Sequence, residues 1–131
     1  MYDKELVIEI LQQILIASKR ILSRFAKISS VNDFLKNEEG IEKLDAICMQ
    51  LIAIGESLKN IDKITNGELL KNYHQVDWKR AKGMRDIISH HYFDLDAEIV
   101  YDVCENEIPK LKATIETILY NLKKEIRAYL G

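Results

Sequence analysis

Residues that interrupt helices are scarce in this chain, and that scarcity constrains its fold more than any other feature. The 131 residues include one proline and five glycines, whereas average proteins contain about 5% proline and about 7% glycine. Sandwiches, barrels and Rossmann-type sheets need many turn residues, so the count favours a few long helices. The length suits one domain, and we expect a single helical domain over residues 1–131.

The spacing of apolar residues predicts where the helices lie. Apolar side chains recur at intervals of three, four and seven over about residues 3–27 and about 38–61, as in helices with one buried face. Between them, Ser30 with Asp33 predicts the N-cap of a short helical turn. Gly55 interrupts the second helix at a cost of about 1 kcal/mol relative to alanine. We therefore expect close packing against a neighbouring backbone at that glycine.

The second half of the chain predicts three further helical segments. Asp77 can cap a third helix. The apolar positions of that helix are Trp78, Ala81, Met84 and Ile88. A fourth should begin after Asp96, and Pro109 either lies in the first turn of a last helix or kinks one continuous helix. Because short connections make sequential helices neighbours, we predict an all-α, antiparallel bundle of four to five helices.

The two cysteines and the N-terminus indicate a cellular compartment. Cys48 and Cys104 have no CxxC or Cys/His spacing, so they should be small apolar residues in a reducing environment. Charged residues occur within the first ten positions, and no basic leader is followed by an uninterrupted apolar run, which is not typical of a signal peptide. No run approaches 18 uncharged apolar residues, so we expect no membrane span. Together these features predict a soluble, cytoplasmic protein.

All three histidines and the only tryptophan lie between Lys71 and Tyr92. Five cations and two carboxylates give this segment +3, which leaves −5 for the rest of a chain whose net charge is −2. The cations are Lys71, Lys79, Arg80, Lys82 and Arg85, and the carboxylates are Asp77 and Asp86. A basic stripe with histidines and aromatics suits a phosphate-bearing ligand. Chance clustering on an exposed helix is equally consistent with the charge alone.

Arg85 and His90 are the residues of this segment that suggest the most specific catalytic chemistry. They are five residues apart, hence about 140° apart around an ideal helix. They can cooperate if the helix ends near Ser89 and the chain turns, or if two copies meet across an interface. A neutral imidazole can take the proton of a ribose 2′-OH while a guanidinium stabilises charge on phosphate oxygens. That chemistry cleaves RNA without a metal, although helix capping or surface charge is the commoner role of such a pair.

Other arrangements of the same residues are open. Asp86 and His90 could share a metal if Asp94 or His91 supplied a third ligand. Ser89 beside His90 resembles a nucleophile pair only in sequence, since adjacent side chains diverge. No GxGxxG or P-loop motif occurs, which excludes a glycine cradle for ATP. We predict no metal and no cofactor.

Several motifs, taken together, are more specific than the Arg–His pair alone. They are Ile54-Gly55-Glu56, Trp78, Gly83-Met84-Arg85-Asp86-Ile87-Ile88-Ser89-His90-His91-Tyr92-Phe93, Asp96 and Ile108-Pro109-Lys110-Leu111. Over nearly the whole chain, in order and spacing, this pattern closely resembles the HepT-like family of HEPN-domain proteins. The resemblance implies a four-helix bundle that forms a homodimer, with the Arg-x4-His segments of both protomers in one cleft.

The resemblance also implies an activity and a partner. HepT-like proteins are toxins of toxin–antitoxin pairs and act as metal-independent endoribonucleases. Their antitoxin is a minimal nucleotidyltransferase that uses ATP to attach AMP to the motif tyrosine. By position, Arg85 and His90 would be catalytic and Tyr92 would be the AMPylated residue. AMP on Tyr92 would add bulk and phosphate charge beside a cationic site, and so repel an RNA substrate.

Two positions depart from the family pattern. Asp86 follows the arginine where Asn is most frequent, and an ionised Asp86 would hold Arg85 or His90 by a charge-assisted hydrogen bond. His91 stands where Asp is usual, so it could share or compete for the acid–base role. Glu56, in the Ile-Gly-Glu stretch, could reach the same cleft.

A different class of function also fits the sequence. The chain could be a non-catalytic helical module that docks a nucleotidyltransferase or helps it bind nucleotide. An inert helical scaffold is less attractive, because all the histidines cluster beside Arg85.

Overall fold

The computed structural model describes residues 2–90 and 97–130, without the side chain of His90, and every regular element in those ranges is helical. The elements are α1 (Lys4–Phe25), α2 (Asn32–Leu35), α3 (Glu38–Thr65), a 3-10 turn (Leu70–Asn72), α4 (Trp78–Lys82), α5 (Met84–His90), α6 (Ala97–Asp102), a π-helical segment (Val103–Glu107) and α7 (Ile108–Leu130). The all-α bundle predicted from the sequence is confirmed.

The three long helices form the frame of the bundle. α1 packs against both α3 and α7, while α4 and α5 pack against α3. Lys4 Nζ lies 3.0 Å from Glu125 Oε2, so the start of α1 meets the end of α7 and the two helices run antiparallel. The largest fully buried side chains are contributed by α1, α2, α3, the 3-10 turn, α5 and α7, and they form one hydrophobic core. In the described ranges, no helix is long and apolar enough to cross a membrane.

Polar side chains fix where the principal helices begin. Asp3, Asn37 and Asp77 each accept a hydrogen bond from the backbone N–H three residues later, at 2.8 to 3.0 Å. Such caps satisfy donors that have no partner within the helix. The cap predicted at Asp77 is therefore confirmed.

The turn into α2 differs from the prediction. The side chain of Ser30 does not cap this helix; its carbonyl accepts the Asp33 N–H at 3.0 Å. The Asp33 carboxylate instead accepts the Ser29 N–H at 2.7 Å and pairs with Lys36 at 2.9 Å. The hydrogen bond from Lys36, followed by that from Ser29, lowers the pKa of Asp33. The Asp33 N–H is therefore satisfied by the Ser30 carbonyl, and the Asp33 carboxylate holds the backbone before the turn.

The third helix is divided in two. α4 ends at Lys82 after five residues, and the Gly83 N–H is shared between the carbonyls of Lys79 at 3.0 Å and Arg80 at 3.1 Å. α5 then begins at Met84, which is buried together with Ile88. The predicted apolar positions therefore still face the core, although the helix axis is interrupted between them.

Pro109 combines the two predicted alternatives. It is the second residue of α7, and the chain remains helical from α6 through the π segment into α7. The Ile108 N–H bonds to the carbonyl of Val103, five residues earlier. A π turn therefore lies directly before the proline, which has no N–H to continue the usual pattern.

The two cysteines behave as core residues. Cys48 and Cys104 are free and buried. Burial is the main cause that raises the pKa of each thiol to about 12. Neither is therefore an ionised nucleophile near neutral pH.

Gly55 is buried in α3 where α4 packs on it. A Cβ at this position would lie 3.0 Å from the Ala81 carbonyl oxygen and 3.4 Å from that of Lys82. The main chains of α3 and α4 therefore approach each other directly, and the predicted close packing is confirmed.

Replacing Gly55 with alanine should destabilise the fold. In a free helix, alanine is favoured over glycine by about 1 kcal/mol, but here the added methyl forces α4 outward, and we expect a net loss of about 1–3 kcal/mol. Urea unfolding measures the difference.

Gly40→Ala should lower the free energy of unfolding further, because its Cβ would lie 2.1 Å from the Asp33 carbonyl oxygen. Ala53 lies on the exposed side of α3, so Ala53→Gly measures only the difference in helix propensity between alanine and glycine. A Gly55→Ala protein more stable than wild type would contradict the close approach.

Candidate active site

Arg85 projects from the first turn of α5, a helix that the core holds in place. Its neighbours Met84 and Ile88 are buried and anchor α5 on α3. The side chain of Arg85 itself is 57% exposed. The guanidinium therefore reaches solvent from a fixed backbone, which is the arrangement needed to receive an anionic ligand.

Glu56 is the partner of this guanidinium. Its Oε1 accepts a hydrogen bond from Arg85 Nη1 at 2.7 Å, and its side chain is 40% exposed. This hydrogen bond, and then the Glu56 charge, raise the pKa of Arg85. Glu56 follows Gly55, so the same contact between α3 and α4 brings the two side chains together. The structure thus joins two sequence-predicted residues that are 29 positions apart.

Asp86 is next to Arg85 but does not bond it. The residue is exposed, and its charge is the last and smallest cause of the raised Arg85 pKa. The carboxylate that holds Arg85 is Glu56. The other partner expected for Asp86, the imidazole of His90, lies outside the described residues.

The remainder of the motif is described only in part. α5 ends at His90, one residue beyond Ser89, so Arg85 and His90 occupy one short helix, about 7.5 Å apart along its axis and about 140° apart around it. The side chain of His90 and all of His91 and Tyr92 lie outside the described residues, as do Asp94 and Asp96. The possible metal site of Asp86 and His90 with Asp94 or His91 is untested for the same reason.

The positive charge of the segment is largely offset by carboxylates from elsewhere in the fold. The ion pairs are Lys71–Glu68 at 2.6 Å, Arg80–Glu107 at 3.1 Å, Lys82–Asp62, and Arg85–Glu56 at 2.7 Å. Within the described ranges, only Lys79 among the five cations makes no such pair. The stripe that the sequence predicts as basic is therefore much closer to neutral in the folded protein.

Arg80, one of the five cations of the segment, has a structural role that the sequence did not predict. Its Nη1 lies 3.1 Å from Glu107 Oε1, and its Nη2 lies 3.5 Å from Asp102 Oδ2. Asp102 and Glu107 are five positions apart, which an α-helix would separate by about 140°. A π turn bonds residues five apart and brings them towards one face. One guanidinium can thus tie α4, and with it the start of α5, to the segment before α7.

Comparison with known proteins gives the family. The chain matches the HepT-like family model, described as Ribonuclease HepT-like, over residues 14–118. A candidate RNase of Methanocaldococcus jannaschii is 31% identical over 101 residues, which are 77% of this chain and 78% of the relative. A candidate RNase of Caldanaerobacter subterraneus is 35% identical over 78 residues, or 60% and 66% of the two chains. A candidate HepT ribonuclease of Thermococcus cleftensis is 26% identical over 98 residues, or 75% and 83%.

No solved structure matches the chain at a significant level. The family model nevertheless spans α3, α4 and α5, including Glu56 and Arg85, and about half of α1 and of α7. It confirms the resemblance that the motif residues indicate: this chain belongs to the HepT-like ribonuclease family.

Proposed function

We propose that the protein is an endoribonuclease toxin that cuts RNA without a metal, with Arg85 and His90 as catalytic residues. The observation that carries the proposal is the exposed guanidinium of Arg85, held by Glu56 at the start of a helix that ends at His90. Membership of the HepT-like ribonuclease family supports RNA as the substrate.

In the proposed reaction, the neutral imidazole of His90 takes the proton from a ribose 2′-OH. The 2′-oxygen attacks the adjacent phosphorus, the bond to the 5′-oxygen breaks, and a 2′,3′-cyclic phosphate remains. Arg85 stabilises the charge that develops on the non-bridging phosphate oxygens. The leaving 5′-oxygen needs a proton, and His91 is the candidate donor beside the base. The requirement for an attacking 2′-OH restricts the reaction to RNA.

A homodimer explains how two residues on one helix can act on one phosphate. Arg85 and His90 diverge by about 140° around α5, so a single copy does not aim both at one point from a regular helix. When two α5 helices face each other, Arg85 of one protomer can act with the partner's His90. The 57% exposure of the Arg85 side chain leaves it available for such a shared cleft.

Glu56 is proposed as a positioning residue. Its hydrogen bond fixes the direction of the Arg85 guanidinium, which favours a defined geometry at the phosphate. Its charge also opposes a phosphate that approaches the same guanidinium. Asp86 adds to that opposing charge without contacting Arg85.

The proposed control of the toxin is covalent. A minimal nucleotidyltransferase antitoxin would direct the Tyr92 hydroxyl at the α-phosphorus of ATP, forming Tyr–O–AMP and releasing pyrophosphate. The added phosphate, two positions from His90, would repel the RNA backbone. ATP and RNA meet in the cytoplasm, where we place the pair.

A non-catalytic module is the second candidate, and one observation favours it. The ion pairs of the segment around Arg85 leave few cations free for an RNA phosphate. Such a surface could instead dock a nucleotidyltransferase.

Arg85→Ala and His90→Ala should each abolish toxicity and RNA cleavage. Loss of a general base reduces rates by about 10²–10⁴-fold, and loss of a charge-stabilising donor by about 10²–10³-fold. Growth and RNA integrity after expression of each variant measure the effect. Arg127→Ala, another exposed arginine, is the matched control. Cleavage that survives both substitutions would refute the mechanism, and a wild-type protein that neither cuts RNA nor slows growth would favour the docking module.

Mixing the two inactive variants tests the shared cleft. A heterodimer of Arg85→Ala and His90→Ala protomers contains one intact pair only if the two residues act across the interface. Mixed and reassembled protein should therefore regain part of the cleavage activity. No recovery from confirmed heterodimers would place both residues within one protomer.

Glu56→Gln should lower both KM and kcat for RNA cleavage. Removing the charge eases phosphate binding, while the weaker hydrogen bond leaves Arg85 less well oriented. Steady-state kinetics separates the two effects. Glu116→Gln, which disrupts the exposed Lys112–Glu116 pair at 3.3 Å, should change neither constant. An unaltered kcat in Glu56→Gln would exclude a positioning role.

Tyr92→Phe should prevent AMP transfer. Intact mass after incubation with the nucleotidyltransferase and ATP should rise by AMP units in wild type and in Tyr120→Phe, a control at an exposed tyrosine on α7. The Tyr92→Phe protein should keep its original mass and remain toxic in the presence of the antitoxin. If it still accepts AMP, the modified residue is a different one.

A further inference from the structure

The second half of α1 and the turn after it lie in the longest stretch of the chain that contains no carboxylate. Between Glu9 and Asp33 there are four cations and no carboxylate. They are Lys19, Arg20, Arg24 and Lys27, which we call the α1 basic face. Their charge of +4 leaves −6 for the rest of a chain with net charge −2. The face is therefore a positively charged patch on a protein whose other residues are net negative.

The fold directs these cations outward together. Lys19, Arg20 and Lys27 are exposed and Arg24 is half-buried. The opposite side of the same helix is in the core, through Ile14, Ala17, Ser18 and Ile21. Arg20 and Arg24 are four residues apart, which places them on one face of the helix. Lys27 lies in the turn directly after α1, so these charges are close together at the C-terminal end of the helix.

Among the described residues, no carboxylate forms an ion pair with this surface. In the described part of the chain, none of its four cations makes an ion pair, whereas four of the five cations around Arg85 do. α3 begins with acidic residues, but Glu39 pairs with Lys43 at 3.5 Å and no ion pair joins α3 to the α1 basic face. The Nη1 atom of Arg24 is buried and has no hydrogen-bond partner among the described residues. Within those residues, the exposed cations Lys19, Arg20 and Lys27 therefore keep their charge without a carboxylate partner.

The helix dipole accounts for only part of the pattern. Cations are favoured in the last turn of a helix because of the unsatisfied carbonyl groups there, and this effect falls off within that turn. It applies to Arg24 and Lys27, at the end of α1. Lys19 and Arg20 lie more than a turn earlier, so a separate reason is needed for them.

We infer that the α1 basic face binds the phosphate backbone of RNA at a distance from the cleavage residues, an inference that rests on the proposed function for the identity of the polyanion. Exposed, unpaired cations on one face release counterions when they meet phosphates, whatever the base sequence. α1 and α5 both pack on α3 but belong to different parts of the bundle. Helix axes lie about 8–10 Å apart, so one strand that reaches both surfaces must be longer than a dinucleotide. The substrate class is therefore an extended RNA strand.

The test compares two triple variants that remove equal charge. One is Lys19→Gln, Arg20→Gln and Lys27→Gln. The matched control is Lys123→Gln, Lys124→Gln and Arg127→Gln, three exposed cations on α7 that make no ion pair within the described ranges. Binding to a long 2′-O-methyl RNA, which lacks the attacking hydroxyl, is measured by anisotropy over a range of salt concentrations. Circular dichroism verifies that both variants are folded.

The α1 variant should bind this RNA more weakly, and the slope of log K against log salt should become shallower by about 2, since each lost contact with a single strand contributes about 0.7. The control variant should change much less. For cleavage of a long RNA, the α1 variant should raise KM and leave kcat unchanged, and a dinucleotide substrate should show no difference.

An unchanged salt slope in the α1 variant would overturn the inference and leave the face to another partner, such as an acidic protein. Equal losses in the two triple variants would also overturn it, because they would reflect net charge alone. Binding to the 2′-O-methyl strand does not require cleavage. The outcome therefore tests the α1 basic face even if the protein proves not to cut RNA.

Discussion

The close approach of two helix backbones at Gly55 is the contact on which the position of the candidate site depends. No side chain separates α3 from the carbonyl groups at the end of α4. The next residue in α3 is Glu56, and α5 begins two residues beyond α4. The same contact therefore brings Arg85 to 2.7 Å from Glu56. Core packing of Met84 and Ile88 then fixes α5, so that the guanidinium is exposed while its backbone is not free to move.

Charge in this protein is distributed differently along the chain and over the surface. Summed along the sequence, both the segment around Arg85, which contains the histidines, and the second half of α1 are basic. In the folded protein, carboxylates from α3, from the π segment and from the turn after α3 pair with most of its cations. The cations of α1 have no such partners in the described residues. A ribonuclease needs to hold a polyanion as well as to cut it, and in our proposals these two tasks fall to the two surfaces separately.

Much of the fold could be predicted because local patterns decide it. Few residues interrupt the helices, the apolar spacing marks their buried faces, and Asp77 caps α4 as its position suggested. The failures also have local causes. The Ser30 hydroxyl was expected to cap α2, but the Ser30 carbonyl accepts the Asp33 N–H, and the Asp33 carboxylate bonds the Ser29 N–H before the turn. Gly83 could have lain inside one helix, but its N–H is shared between two carbonyls of α4, and the helix is divided there into α4 and α5.

The candidate site was predictable in its members but not in its contacts. Arg85 and Glu56 were identified from their motifs, whereas the choice of Glu56 over Asp86 as the partner of Arg85 depends on where α3 crosses α4. Arg80 could not be found from the sequence, because its link to Asp102 and Glu107 requires the π turn that places those carboxylates together.

The sequence by itself determined the helical class, the core positions and the family motif, since these depend on residue type and on spacing within single helices. Tertiary structure alone decided which charges are neutralised and which remain free. The partners in an ion pair can be 29 residues apart, as they are for Arg85 and Glu56. Their distance is set by helix packing, which no count of residues along the chain can give.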